Sequence, residues 1–161
     1  MDVNTAKQSL YEYLKKNNKT ITFAESCTGG MIAASFCDIS GVSSVYKGSM
    51  VSYSDEVKVN NLNVNHETIE RYTAVSDKTA EEMAVNAARI FNADYAISVT
   101  GYAGPSGGTD KDPVGTFYLG FFILGKTYVV REYYPGLSRN DLRVKACECA
   151  FFRIMEMIEC E

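Results

Sequence analysis

Apolar residues recur near helical spacing from the start of the chain (Val3, Ala6, Leu10, Tyr13, Leu14) and stop at Asn17-Asn18, which predicts a first helix over Val3–Asn17. An alternating, β-branched run, Thr20 to Ala24, predicts a strand. It ends on the small and polar residues Glu25-Ser26-Cys27-Thr28-Gly29-Gly30, after which a helical pattern resumes (Met31, Ile32, Ala33, Ala34, Phe36) and runs to about Cys37. Ser40-Gly41 marks a turn, and Val45 to Tyr53 reads as a second strand. Ser54-Asp55 then caps a short helix carrying Glu56, Val57 and Lys58. Asn60 to Asn65 is polar connection, and Glu67 to Tyr72 is a further short helix. Ser76 caps a longer helix, Asp77 to Phe91, whose apolar face comprises Ala80, Met83, Ala84, Ala87 and Ile90.

Asp94 to Thr100 is apolar enough for a central strand, and it feeds a long loop, Gly101 to Pro113. Gly115–Leu124 and Thr127–Tyr134 pair as a hairpin around Gly125-Lys126. Pro135-Gly136 breaks the chain, and Ser138 with Asp141 opens a final helix that runs to about Ile158. The alternation of helices and strands predicts an α/β fold with helices on both faces of a mixed sheet. With no repeat, linker or low-complexity segment, residues 1–161 form one domain.

Composition narrows the function classes. The chain is 46% apolar and 22% charged, which argues against disorder. A net charge of −4 without any basic run argues against a nucleic-acid surface, though one or two local arginines suffice for a small phosphate ester. No apolar run approaches the ~18 residues of a membrane span, and the start (Met1-Asp2-Val3-Asn4) is unlike a signal peptide. The odd set of cysteines (Cys27, Cys37, Cys147, Cys149, Cys160) then points to a reduced, cytoplasmic setting. Cys147 and Cys149 stand two apart on a helix and do not share a face, so they make a poor metal pair. The single histidine, His66, reads as a surface residue at a helix start. A zinc site or a Ser-His-Asp triad therefore has little to rest on, and no metal or cofactor is expected.

A strand that breaks on small residues into a helix presents hydroxyls and N–H groups at a positive helix end, where an anion or developing oxyanion is stabilised. Ser26 is the candidate nucleophile, with Cys27 beside it as rival. Without histidine, the base has to be another group. Lys58, in the predicted short helix, can serve if burial lowers its pKa, and Tyr53 can donate or relay a proton. On spacing alone, a lysine there is more often a solvated surface residue. The Gly101–Thr109 loop matches neither a P-loop nor a dinucleotide fingerprint, but its glycines leave backbone N–H groups open to a ligand. Arg139 and Arg143, four apart on the last helix, share a face suited to phosphate, with a solvated face paired to Asp141 or Glu148 as the plainer reading.

Several long motifs occur together and in order: A-E-S-C-T-G-G at Ala24–Gly30, S-Y-S-D-E-V-K at Ser52–Lys58, A-V-S at Ala74–Ser76, and A-D-Y-A-I-S-V-T-G-Y-A-G-P-S-G-G-T at Ala93–Thr109. P-V-G-T-F-Y at Pro113–Tyr118 and S-R-N-D-L-R at Ser138–Arg143 complete the set. Over essentially its whole length the chain resembles the CinA C-terminal domain family, whose characterised members are nicotinamide mononucleotide deamidases. The resemblance implies a three-layer α/β/α sandwich that hydrolyses the carboxamide of nicotinamide mononucleotide to the acid and ammonia. It also implies Ser26 as nucleophile assisted by Lys58 and Tyr53, no cofactor, and association into homo-oligomers, for which the aromatic strand Phe117–Phe122 offers a contact.

The oxyanion hole is expected among the backbone N–H groups of Thr28, Gly29 and Gly30. The nucleotide is expected along Thr100, Gly101, Gly104, Gly107, Gly108 and Thr109, with its phosphate on Arg139 or Arg143. Two positions depart from the family pattern: Asp55 stands where Asn is commoner, adding a carboxylate near Lys58, and Leu137-Ser138 replaces Gly-Asp before Arg139. Many members carry an N-terminal domain resembling molybdopterin-binding proteins, so this chain reads as the stand-alone form. A non-catalytic nucleotide-binding module, favoured by Asp55, and an amidohydrolase for another small amide remain as alternatives.

Overall fold

The two most apolar strands, β1 (Ile21–Glu25) and β3 (Tyr95–Gly101), lie side by side within a five-stranded sheet. The computed structural model describes residues 2–160. Strand β2 (Tyr46–Val51) pairs parallel with the outer side of β1, and β4 (Thr116–Ile123) and β5 (Lys126–Tyr133) extend the other side antiparallel. The order is therefore β2-β1-β3-β4-β5. Parallel strands need covered faces, and helices cover both. Helices α1 (Val3–Lys16), α2 (Met31–Cys37) and α6 (Arg139–Glu159) pack on one face through Leu10, Ile32, Phe36, Phe151 and Ile154. On the other face lies α5 (Asp77–Phe91), through Met83, Ala84 and Ala87, with α4 (His66–Tyr72) against it. The fold is the expected α/β/α sandwich with a mixed sheet.

Most element boundaries fall within a residue or two of the sequence reading. Asp2 caps α1, Ser54 caps α3 (Asp55–Asn60), Ser76 caps α5 and Ser138 caps α6, each accepting an N–H from the first turn. His66 is exposed at the start of α4, beside Glu70. Among the described residues, no helix is long and apolar enough to cross a membrane.

Three expectations need correction. Ile90 lies at the margin of the α5 stripe in its last turn and is exposed, with Ala88 buried in its stead. The hairpin turn is Leu124-Gly125, not Gly125-Lys126. Both turn residues have positive φ, 49° and 92°, the geometry that matches the twist of the flanking strands, and Lys126 already pairs with Ile123. The aromatic strand β4 offers no contact surface for another copy. It runs between β3 and β5 beneath helices, with Phe117, Tyr118 and Phe121 buried, and the exposed tyrosines Tyr128 and Tyr133 belong to the edge strand β5.

Gly120 on β4 sets the spacing between the sheet and α5. A Cβ there would overlap the Ala80 carbonyl oxygen and crowd Ser98 Oγ, which itself donates to that carbonyl at 2.6 Å. Gly120→Ala therefore forces helix and sheet apart. We expect a loss of about 3 kcal/mol, seen as a fall of roughly 6–12 °C in melting temperature.

Candidate active site

Side chains alternate along β1, and the alternation places the site. Ile21 and Phe23 point into the core under α1, α2 and α6, whereas Ala24 points toward α5. The next two residues continue the pattern, so Glu25 turns toward α2 and Ser26 toward the opposite layer. Ser26 N–H still donates to Val99 O of β3 at 3.0 Å, which anchors Ser26 to the central strand.

The Glu25 carboxylate is fully buried. Its Oε2 accepts from Thr28 Oγ1 (2.5 Å), Gly30 N–H (3.1 Å) and Ile32 N–H (3.0 Å), and its Oε1 from Ala33 N–H (2.8 Å). The positive end of α2 is thus satisfied from within the chain. Gly29 N–H closes the turn onto Ser26 O at 3.0 Å, with Gly29 and Gly30 both at positive φ, where a side chain would be strained. This corrects the expected oxyanion hole: the N–H groups of Gly29 and Gly30 are spent. Those of Cys27 and Thr28 donate to no described residue.

Lys58 sits on α3, immediately beyond β2, and is 1% exposed. Its Nζ lies 3.0 Å from Ser26 Oγ, 2.9 Å from Ser52 O and 3.3 Å from Tyr53 O. Burial pulls its pKa below the usual lysine range; the Asp55 carboxylate and the Cys27 thiol oppose that shift without reversing it. The lysine is therefore not the solvated surface residue that spacing alone favours. A neutral Nζ has two N–H donors and one lone pair, which match two carbonyls and one hydroxyl. Cys27 is also buried, and desolvation pushes its thiol up to about 11. No side-chain base contacts its sulfur among the described residues, which separates it from Ser26.

The loops after β1, β2 and β3 converge outside the carboxyl ends of the parallel strands, where open α/β sheets hold ligands. Ser26, Cys27, Tyr53, Val75, Gly101, Tyr102, Ala103 and Arg139 line a cleft of about 160 Å³ there. A wider hollow of about 600 Å³ beside α4 is lined by Asn65, Glu67, Thr68, Glu70, Arg71 and Tyr72; its one buried hydroxyl, Thr68, is held by the Glu82 carboxylate, and no lysine lines it. We place the chemistry in the smaller cleft.

Arg139 spans the cleft mouth, donating to Gly104 O (2.8 Å) and to the Tyr53 hydroxyl (2.6 Å). Tyr53 itself is exposed, so its hydroxyl faces Arg139 at the rim and its carbonyl faces Lys58. Arg143 does not share that position. Its Nε and Nη2 donate to Cys27 O (3.0 Å) and Thr28 O (3.1 Å), and its Nη1 donates to Asn140. Neither arginine pairs with Asp141 or Glu148: Asp141 accepts from Ser138, and Glu148 from Lys145.

Within the Gly101–Thr109 loop, Gly101 lines the cleft, Gly104 holds Arg139, and Gly107 and Gly108 have positive φ. Thr109 bonds back to Asp112, whose buried carboxylate is held by Tyr118 and Arg131. Thr100 does not line the cleft. Its buried hydroxyl donates to Ala74 O at 2.7 Å and ties β3 to the start of α5. The residue that the sequence reading missed is Glu25; its only signal was a single acid closing an otherwise uncharged strand.

The family model described as CinA C-terminal domain matches residues 3–158. A CinA-like protein of Petrotoga mobilis is 43% identical over 150 residues, covering 93% of this chain and 37% of that protein. A CinA-like protein of Fervidobacterium nodosum is 57% identical over 107 residues, covering 66% of this chain and 26% of that protein. The chain thus spans about a third of the length of the curated relatives it matches. Solved structures match nearly end to end. The competence damage-inducible protein A of Klebsiella pneumoniae superposes with a TM-score of 0.94 at 33% identity, over 99% of this chain and 98% of that one. The competence/damage inducible protein CihA of Agrobacterium tumefaciens gives 0.92 at 30% identity, over 97% and 95%.

Replacing Glu25 by Ala would strand the Gly30, Ile32 and Ala33 N–H groups. We expect a loss of about 3 kcal/mol or more, with a smaller loss for Glu25→Gln, which keeps one carbonyl acceptor. Chemical denaturation of both variants checks the order.

Proposed function

We propose that this chain, which belongs to the CinA C-terminal domain family, is a serine amidohydrolase that converts nicotinamide mononucleotide to nicotinic acid mononucleotide and ammonia. One observation carries the reading: a buried lysine whose pKa burial lowers stands 3.0 Å from the hydroxyl of Ser26, at the floor of a cleft. In the first step Ser26 Oγ attacks the carboxamide carbon and its proton passes to neutral Lys58. The resulting ammonium returns that proton to the amide nitrogen, the C–N bond breaks and ammonia leaves. Water, deprotonated by Lys58, then attacks the acyl ester; the ammonium returns the proton to Ser26 Oγ as the ester C–O bond breaks, and the acid is freed. The unspent N–H groups of Cys27 and Thr28 are the donors for the oxyanion.

The cleft is about the size of a cavity that holds one benzene ring and smaller than a typical drug-sized site. It suits the pyridine ring with its carboxamide. The ribose and phosphate then lie outside it, along Gly101–Thr109, where Gly107 and Gly108 offer backbone N–H groups and Arg139 a guanidinium. Tyr53, at the rim, orients Arg139 and the ring edge. Asp55 favours a binding module that has lost turnover. Against that reading stands the balance at Lys58, where burial outweighs the Asp55 charge.

Ammonia release from nicotinamide mononucleotide is the direct test. Ser26→Ala and Lys58→Met are expected to lower the rate by about a thousandfold or more, while Cys27→Ala retains it. Nucleotide binding by calorimetry without ammonia release from the unaltered protein would overturn the hydrolase reading.

The pH profile supplies a second test. The base is the unprotonated amine, so kcat/KM rises with pH through the lysine titration, with its midpoint below the usual lysine range. Asp55 holds that pKa up, so Asp55→Asn is expected to move the rising limb to lower pH. A limb that stays in place would remove Lys58 as the titrating base.

A further inference from the structure

Arg143 sits one turn into α6, where a phosphate role was expected of it, yet its guanidinium faces the serine turn. Nε donates to Cys27 O at 3.0 Å and Nη2 to Thr28 O at 3.1 Å, while Asn140 Oδ1 accepts from Nη1 at 3.2 Å. The turn leaves room for this approach because residue 29 is glycine: a Cβ there would come within 3.3 Å of Nη2. A trans peptide directs its N–H opposite its C=O. Holding the Cys27 carbonyl toward α6 therefore directs the Thr28 N–H to the other side of the turn, and that N–H has no partner among the described residues. The preceding peptide is held in the same way, since Ser26 O accepts from Gly29 N–H and the Cys27 N–H is left free beside the cleft that Cys27 lines.

We propose that Arg143 is a positioning residue: by gripping the Cys27 carbonyl from α6 it orients the free Thr28 N–H toward the carbonyl oxygen under attack. By gripping the Thr28 carbonyl it holds the Gly29 N–H on Ser26 O, whose peptide carries the free Cys27 N–H. The proposal rests on Ser26 being the nucleophile, as read above. Arg143 touches no reacting atom and acts through the peptide planes. Its positive charge on the Cys27 carbonyl also polarises the amide that bears the free Thr28 N–H, which strengthens that donor. Arg139, at the cleft mouth, is then the arginine left to meet the phosphate.

The test compares Arg143→Ala and Arg143→Lys on nicotinamide mononucleotide and on its phosphate-free nucleoside. A positioning role lowers kcat about 10- to 100-fold with KM little changed, by the same factor on both substrates. The lysine variant recovers part of the loss, because an ammonium reaches one carbonyl. A rise in KM with kcat retained, absent on the nucleoside, would make Arg143 a phosphate contact and overturn the proposal.

A second readout needs no natural substrate. Phenylmethylsulfonyl fluoride forms a bond between its sulfur and Ser26 Oγ, releases fluoride and passes the serine proton to Lys58, and mass spectrometry follows the adduct. Labelling is expected to slow in Arg143→Ala in parallel with kcat; equal rates would refute the proposal. Fast labelling without turnover of the nucleotide would refute the substrate assignment alone, leaving Arg143 to be judged on the labelling rates. Absence of both labelling and turnover in the unaltered protein would remove the nucleophile, and the proposal with it. Thermal unfolding confirms that the variants are folded, and Arg143→Lys carries the comparison if the alanine variant is not.

Discussion

A carboxylate cut off from water has to be saturated with donors, and the way Glu25 meets that demand shapes everything around Ser26. It draws in one hydroxyl and three backbone N–H groups, from Thr28 to Ala33. Those bonds fold the chain back on itself directly after β1 and start α2 without a conventional cap, its N-cap residue being Gly30. Ser26 sits between this anchor and the β3 pairing, so little freedom is left to it. The helix end that looks ready for an external anion is already neutralised, and the donors open to a substrate lie one peptide earlier, in the turn itself.

Across the sheet from Glu25 the opposite problem is solved in the opposite way. Lys58 is buried with no carboxylate in contact and only carbonyl and hydroxyl oxygens around its nitrogen. Two carbonyls restrain its orientation but supply less than the hydration that burial removes, so the charged form is disfavoured. Asp55 is exposed and acts through a more polarisable surrounding, which explains why its pull is the smaller one. The parity of β1 thus sends the Glu25 carboxylate to its donors on one face and the Ser26 hydroxyl to Lys58 on the other.

Most of the architecture was legible because burial writes a period into the sequence. The stripes of α1 and α5, the alternation of β1 and the serine caps are local signals, and the elements followed them closely. Ser26 and Lys58 were readable as types at strand ends, but not as neighbours: they are 32 positions apart, and only the parallel pairing of β1 with β2 brings them together. Glu25 escaped because its capping reaches five to eight residues forward from a strand, outside any helix-start pattern. Thr100 and Arg143 make bonds within the chain that the sequence could not show, for a shared reason. A hydroxyl or guanidinium at a strand end or on a helix face looks free until the carbonyls packed against it are known.

The start of α6 draws these threads together. Within six residues Ser138 caps the helix, Arg139 bridges the loops after β2 and β3, and Arg143 grips the loop after β1. All three loops of the site are therefore held by one rigid element whose remaining turns are buried against the sheet through Phe151 and Ile154. A shift of α6 along its axis would move the cleft mouth and the serine turn together, while Lys58, on α3, has no contact with either arginine. Ser138, within the Leu137-Ser138 pair, accepts the capping bond from the Asp141 N–H, so the start of the helix is secured in this chain by its own hydroxyl. The capping serine thus fixes how the helix begins, and with it the directions in which the helix aims its two arginines, Arg139 to the cleft mouth and Arg143 to the serine turn.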